Sequence, residues 1–442
     1  MDLPFILQFA VIIGALAIGA RVGGIGLGLW GGVGVFVLAC LGAMPTAPPV
    51  DVMLIILAVI MAASVMEAAG GIDFLVSIAE KIIRKNPKHI TLIAPFVAYV
   101  FTFLAGTGHI VYPLLPVIFE VAHRNKIRPE RPMAITLIAS QQAITASPVS
   151  AATAAMIGLF ASQNLNFGLA QILMICVPST LIGVLVGALV QTRVGKELDD
   201  DPEYQRRLAE GLITFEAKTE GDKKPLPKTA KISALIFLAG VAAVVTMGLF
   251  PGIRTIGSGE SAEQVSMPVA IEMIMLGVAA ILLLIAKVEP AKVPMTKTCQ
   301  AGIVAVIGIF GLAWMGDTFI NANRELVIGG LGDMAKAAPW TFAIGLFFAS
   351  VLLFSQAATA RALMPLGLAL GIGPAALIGM FPAVNGYFFI PNYGSTIATI
   401  NFDRSGTTRI GKYVLNHSFM LPGLVSTITA ITVGLILAKI IF

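Results

Sequence analysis

Residues 135–160 read ITLIASQQAITASPVSAATAAMIGLF, an apolar run long enough for a membrane helix but interrupted near its middle by Ser147, Pro148 and Ser150. Proline removes a backbone donor and clashes with the preceding turn, so a helix through this run kinks or unwinds there. In hydrocarbon, backbone groups freed in this way are tolerated only where they face protein or a water-filled cavity. A polar break inside a span is therefore a binding-site candidate. Residues 387–400, YFFIPNYGSTIATI, repeat the device, with Pro391, Asn392, Tyr393, Gly394 and Ser395 at the break.

Composition agrees with this reading. Of 442 residues, 57% are hydrophobic and 12% charged, with a mean hydropathy of +0.91. Soluble domains carry about 25% charged residues. The chain is thus expected to be an all-α polytopic membrane protein. Its net charge of +5 points to basic cytoplasmic loops rather than to nucleic acid. Cys40, Cys176 and Cys299 have no metal or disulfide spacing. No cofactor and no metal are expected. MDLPFILQF has no basic leader and reads as a retained first helix.

Taken in order, spans are expected at about 4–20, 23–42 and 50–69. Gly26, Gly28 and Gly31 match G-x-G-x-x-G, but the dinucleotide motif needs a preceding strand. Gly24, Gly28 and Gly32 at spacing four instead suggest a smooth face for close helix packing. An amphipathic connector with Lys81, Arg84, Lys85 and Lys88 follows. Residues 90–122 are apolar around Gly106-Thr107-Gly108-His109 and have basic segments on both sides. A re-entrant hairpin satisfies the positive-inside rule at both ends. The broken span covers about 133–160, and another span about 169–190.

Residues 193–231 form the long polar segment. KELDDDPEYQRRLAEGL within it reads as a short soluble helix and TEGDKKPLPKTAK as a linker. Beyond it the pattern recurs: spans at about 232–250, 268–286 and 299–320, a second hairpin at about 340–371, a second broken span at about 375–402, and a last span. Pro87, Pro116 and Pro148 find counterparts in Pro339, Pro365 and Pro391. This is a weak repeat with constant order. Five spans and one hairpin per half, an odd number of crossings, invert the second copy. Residues 1–192 and 232–442 are therefore expected to be inverted-topology repeats joined by a cytoplasmic linker, with both termini outside.

Four polar interruptions would then meet at the membrane midplane. They contain Thr107, Gly108 and His109; Ser147, Pro148 and Ser150; Ser355, Gln356 and Thr359; and Pro391, Asn392, Tyr393, Ser395 and Thr396. Each creates a half-helix N-terminus whose free N–H groups attract anions. Two symmetric sets suit a substrate with a carboxylate at each end. On this reading Ser150→Ala or Thr359→Ala costs about 1–3 kcal/mol of binding. Arg361 either pairs with a carboxylate or snorkels outward. Gln141, Gln142 and Asn385 are supporting candidates, while Glu67 and Asp317 are expected near the interface. Gly330, Gly332 and Asp333 spell the G-x-G-D of intramembrane proteases, but no partner aspartate lies at depth. No ATP-binding loop is present, so gradients or exchange would drive transport.

FLAGTGHIVYPLLP, KIRPERPMA, ITASPVSAA, FSQAATARALMP and FDRSGTTRIGKYVLNHSFMLPG resemble the anaerobic C4-dicarboxylate transporter (Dcu) family over essentially the whole chain. The resemblance implies a bacterial inner-membrane carrier in a membrane-lipid setting. It would exchange fumarate, malate or aspartate for succinate, or take dicarboxylates up with protons or sodium. It also implies periplasmic termini, an elevator mechanism and a homodimer. His109 follows the fumarate–succinate antiporter branch. Ala358-Thr359-Ala360-Arg361 is closer to the branch for general uptake, and Asn392 replaces the threonine of the family's Pro-Thr-Tyr pattern.

Overall fold

The computed structural model describes residues 3–22, 24–213, 226–257, 263–323, 338–353, 355–391, 393–413 and 415–442. Helices α1 (Leu3–Val22), α2 (Gly26–Cys40) and α3 (Val50–Ala68) open the chain. A 72° bend leads into α4 (Gly71–Lys85). Gly70 makes the bend at φ +82°, a conformation that strains residues with a Cβ. As the charge pattern suggests, α4 is amphipathic: Leu75, Val76, Ala79 and Ile83 are buried, and Lys81, Arg84 and Lys85 are exposed.

Next come α5 (Ile90–Ala105) and α6 (Val111–Arg124). Arg84, just before α5, pairs with Glu120, near the end of α6, at 2.8 Å. The two legs therefore return to the end at which they start. α7 (Glu130–Ala146) and α8 (Ala151–Ser162) are separated by an extended Ser147 and Ser150. They are followed by α9 (Leu169–Gln191), α10 (Pro202–Ala209), α11 (Lys228–Leu249), α12 (Met267–Ala286) and α13 (Lys297–Ala322). A two-residue ribbon, β1 (Thr255–Ile256) and β2 (Glu263–Gln264), sits before α12.

The second pair of legs is α14 (Trp340–Leu353) and α15 (Gln356–Ala369). A Cβ on Gly367, late in α15, would lie 2.9 Å from the Phe342 ring, early in α14. This pair also returns to its starting end. The second broken helix is looser than the first. α16 (Pro374–Met380) runs into a 3₁₀ stretch, Phe381–Phe388, that holds Asn385 in a non-helical conformation. Pro382 and Gly386, both poor in helices, account for the loosening. α17 (Gly394–Phe402) and α18 (Met420–Ile441) complete the chain.

Seven helices among the described residues are long and apolar enough to cross a membrane, or eight if the bent α3–α4 pair counts as one. The sequence leads us to expect ten full spans; six of the seven are among them, and the seventh, Pro87–Ala105, is a leg of the first hairpin. The shortfall lies in short apolar helices such as α2, whose 15 residues span only about 22 Å at 1.5 Å each.

Packing also revises the glycine face. A Cβ on Gly28 would meet the Ile307 carbonyl oxygen at 2.0 Å, and one on Gly31 the Gly311 carbonyl carbon at 2.4 Å, whereas Gly24 and Gly32 face open space. The close surface is thus Gly28 and Gly31 against α13, on a three-residue spacing. Reciprocally, α3 packs on α12. α9 meets α18 through Gly183 and Gly187, where a Cβ would lie 2.4 and 2.1 Å from atoms of Ser426.

Among the described residues of the polar segment, 193–213 carry the short helix α10, and α11 starts at Lys228, inside the expected linker. Arg128 is buried between Glu130 Oε2 and Asp201 Oδ2, each at 2.6 Å. Arg131 pairs with Glu197 at 2.8 Å. The same end receives the loop after α17. Glu130 accepts from Ser418 Oγ at 2.6 Å, and its amide donates to Thr407 Oγ1 at 3.1 Å. Asp403 accepts from the Ser405 and Thr408 amides at 2.9 and 2.5 Å and from Thr407 Oγ1 at 2.8 Å. The G-x-G-D residues Gly330, Gly332 and Asp333 lie outside the described residues.

Candidate binding site

All four interruptions reach one cavity of about 420 Å³. Gly106, Thr107 and Gly108 come from the α5–α6 turn, and Val149, Ala151 and Ala152 from the α7–α8 break. Ser355, Gln356, Ala357 and Ala358 open α15, while Tyr393 and Ser395 open α17. The N-terminal ends of α6, α8, α15 and α17 therefore converge on a common space. Each presents N–H groups that its own helix cannot satisfy, with the positive end of the helix dipole behind them.

Local chemistry shapes these ends. Gly106 turns the hairpin at φ +70°, and a Cβ there would lie 2.6 Å from the Val149 carbonyl oxygen. The first tip is thus seated directly on the first break. Ser150 caps α8 by accepting from the Thr153 amide at 3.1 Å and donates to the Ile144 carbonyl at 2.6 Å. Ser147 donates to the Phe103 carbonyl at 2.7 Å. Ser355 caps α15 by accepting from the Ala358 amide at 3.2 Å. Thr359 and Thr396 donate to the carbonyls of Ser355 and Tyr393 at 2.8 and 2.6 Å.

These bonds divide the residues expected at the site. Thr107, Gly108, Ser355, Gln356, Tyr393 and Ser395 line the cavity. Ser147, Pro148, Ser150, Thr359, Pro391 and Thr396 stand behind its wall, where the hydroxyls satisfy backbone groups that the breaks expose. The side chain of His109 and the whole of Asn392 lie outside the described residues. Ser395 differs from the other hydroxyls. It is 1% exposed, and its Oγ has no hydrogen-bond partner among the described residues.

From the cavity wall inward runs a chain of side-chain amides. Gln356 Nε2 donates to Gln141 Oε1 at 2.8 Å and to Asn385 Oδ1 at 3.3 Å. Asn385 Nδ2 donates to Gln142 Oε1 at 3.2 Å, and Gln142 Nε2 donates to Thr427 Oγ1 at 2.8 Å. The chain joins α7, the 3₁₀ stretch, α15 and α18.

Arg361 is buried in α15 at 6% exposure and is not part of the cavity wall. It interacts electrostatically with Asp317 of α13. Glu67 is likewise engaged: its carboxylate accepts from the amides of Lys297 and Thr298 at 3.3 and 2.9 Å and caps α13 from a neighbouring helix. Tyr112 and Thr298 also line the cavity. Nothing in their sequence surroundings marks them, because their position depends on tertiary packing.

Residues 4–442 match the profile of the family described as anaerobic C4-dicarboxylate membrane transporter. The chain is 42% identical over 437 residues to the C4-dicarboxylate transporter DcuA of Wolinella succinogenes, covering 99% of each. It is 41% identical over 440 residues to DcuA of Escherichia coli K12, covering 98% of this chain and 99% of that one. It is 40% identical over 444 residues to the anaerobic C4-dicarboxylate transporter DcuB of Escherichia coli O6:H1, covering 98% of both. In fold it is similar to the YdaH transporter of Alcanivorax borkumensis, whose crystal structure has an unusual topology. That match has a TM-score of 0.57 at 15% identity and covers 99% of this chain and 98% of the other.

Proposed function

This chain belongs to the anaerobic C4-dicarboxylate membrane transporter family, and from that premise we propose that it exchanges fumarate, succinate, malate and aspartate across the bacterial inner membrane. It is a multi-pass membrane transporter and not an enzyme. The observation that carries the substrate reading is the cavity with four converging helix N-termini and a Ser395 hydroxyl that has no hydrogen-bond partner among the described residues. Two N-termini come from each half of the chain, one set for each carboxylate of a diacid. Neutral donors hold carboxylates without the desolvation cost of buried cations.

Exchange proceeds by alternating access of the elevator type, the hairpins and broken helices moving together against the remaining helices. The reciprocal packing of α2 on α13 and α3 on α12 supports the inverted repeat behind this mechanism. The polar cluster around Glu130 supports joint movement, because it ties the start of α7 to the loop after α17. The basic loops favour a cytoplasmic side for that cluster and a periplasmic side for both termini. The functional unit is a homodimer.

Uptake of labelled succinate into proteoliposomes tests this reading. Vesicles are preloaded with fumarate, with buffer or with a monocarboxylate, each with and without sodium. Uptake that requires internal fumarate supports antiport. Uptake into buffer-loaded vesicles that follows a sodium or proton gradient replaces antiport with symport. No uptake in any arm rejects the substrate assignment.

A further inference from the structure

Both hydrogens of the Gln356 amide are engaged, by Gln141 Oε1 and Asn385 Oδ1. The orientation of these amides is fixed by bonding logic. Asn385 Nδ2 lies 3.2 Å from the Pro382 carbonyl oxygen. A backbone carbonyl only accepts, so the nitrogen of Asn385 faces Pro382 and its oxygen faces Gln356. Gln356 in turn faces Asn385 and Gln141 with its nitrogen. Reversing it would set two amide oxygens against each other at Asn385.

Two atoms remain. Gln356 Oε1 and Gln141 Nε2 make no hydrogen bond with any described residue, and both side chains line the cavity. Gln141 Nε2 lies beside the hairpin tip, 2.8 Å from where a Cβ on Gly108 would stand. Gln356 Oε1 is thus an amide acceptor held in place at the cavity, beside the N–H donors of the helix ends. A carboxylate has nothing to donate to that acceptor.

We propose that Gln356 Oε1 reads the substituent on the second carbon of the substrate, accepting from the ammonium of aspartate or the hydroxyl of malate. Asn385 is a positioning residue that fixes which end of the Gln356 amide faces the cavity. Succinate and fumarate leave this acceptor unanswered, so they bind less tightly than their substituted relatives. A site built to bond a polar group discriminates strongly against ligands that lack it. The inference rests on the proposed C4-dicarboxylate site and adds the residue that ranks its substrates.

The test is counterflow by the full chain in proteoliposomes with labelled L-aspartate, L-malate, succinate and fumarate. Gln356→Met keeps the length and removes the acceptor. It should lower aspartate and malate transport relative to succinate and fumarate by about tenfold, the size of a lost hydrogen bond to a charged group. Asn385→Leu frees the Gln356 amide to turn and should lower the same ratio by a smaller factor. An unchanged ratio in both variants, or an equal loss for all four substrates, would overturn the inference. Absence of counterflow for all four substrates in the unaltered chain would overturn the proposed function instead.

Discussion

Arg128 and Asp201 are 73 residues apart in the chain, yet their side chains meet at 2.6 Å with 4% and 6% exposure. Their bond docks the polar segment between α9 and α11 against the start of α7. Burial opposes ionisation of Asp201, but bonds from the Arg128 guanidinium and the amides of Tyr204 and Glu203 outweigh it and lower its pKa. A carboxyl held below its unfolded value stabilises the fold above the ordinary carboxylate pKa of about 4. That stability disappears as pH falls through the lowered value. Protection of the amides across residues 196–209, taken relative to their intrinsic exchange rates at each pH, should therefore be high at neutral pH and fall below pH ~4. Asp201→Ala should lower stability by about 3 kcal/mol, because it breaks a buried pair. An unchanged melting temperature in detergent would refute this.

Ser150 and Ser395 should respond oppositely to loss of a hydroxyl. Ser150→Ala removes a helix cap and should destabilise the protein by about 1–2 kcal/mol while moving substrate affinity little. Ser395→Ala removes a hydroxyl with no hydrogen-bond partner among the described residues and should cost about 1.5 kcal/mol of succinate affinity, a roughly tenfold rise in Kd. Paired thermal unfolding and equilibrium binding distinguish the two roles. Equal affinity losses would mean that Ser150 also reaches the substrate.

Gly106→Ala should disable the carrier. Its φ of +70° and the 2.6 Å approach to the Val149 carbonyl oxygen leave no room for a methyl group. The left-handed conformation alone costs about 1–2 kcal/mol. Exchange rates should fall more than tenfold, and proteolysis near residues 104–110 should accelerate. Normal exchange would mean that the hairpin tip is free of the first break during transport.

Among the described residues, the cavity wall contains no lysine, arginine, aspartate or glutamate. Between about pH 7.5 and 9, above the ordinary range of His109 at the adjoining hairpin tip, succinate affinity should therefore follow the ionisation of succinate itself. A steep protein-dependent step in Kd over this range, measured by calorimetry, would place a titrating side chain in the wall.

Much of this architecture is legible in the sequence. Proline and small hydroxyl residues inside apolar runs mark the breaks, since hydrocarbon makes such residues costly unless they turn the backbone toward protein or water. The roles of individual hydroxyls are less legible. Ser150 and Ser395 look equivalent in sequence, and only the position of nearby backbone groups makes one a cap and leaves the other unbonded. The Asn385–Gln356 contact is invisible for a similar reason: it depends on the 3₁₀ stretch around Pro382 and Gly386. Arg361 shows the limit for charges, because its neighbour Asp317 belongs to a distant span.

The docked segment also bears on chain connectivity. Arg128 and Asp201 both precede residue 214, and Lys228, where α11 starts, follows residue 225. A cut between them would sever neither the docking pair nor any described helix. The bonds from Glu130 to Thr407 and Ser418 would still join the pieces. Two separately made fragments, 1–213 and 226–442, would therefore carry complementary surfaces for reassembly.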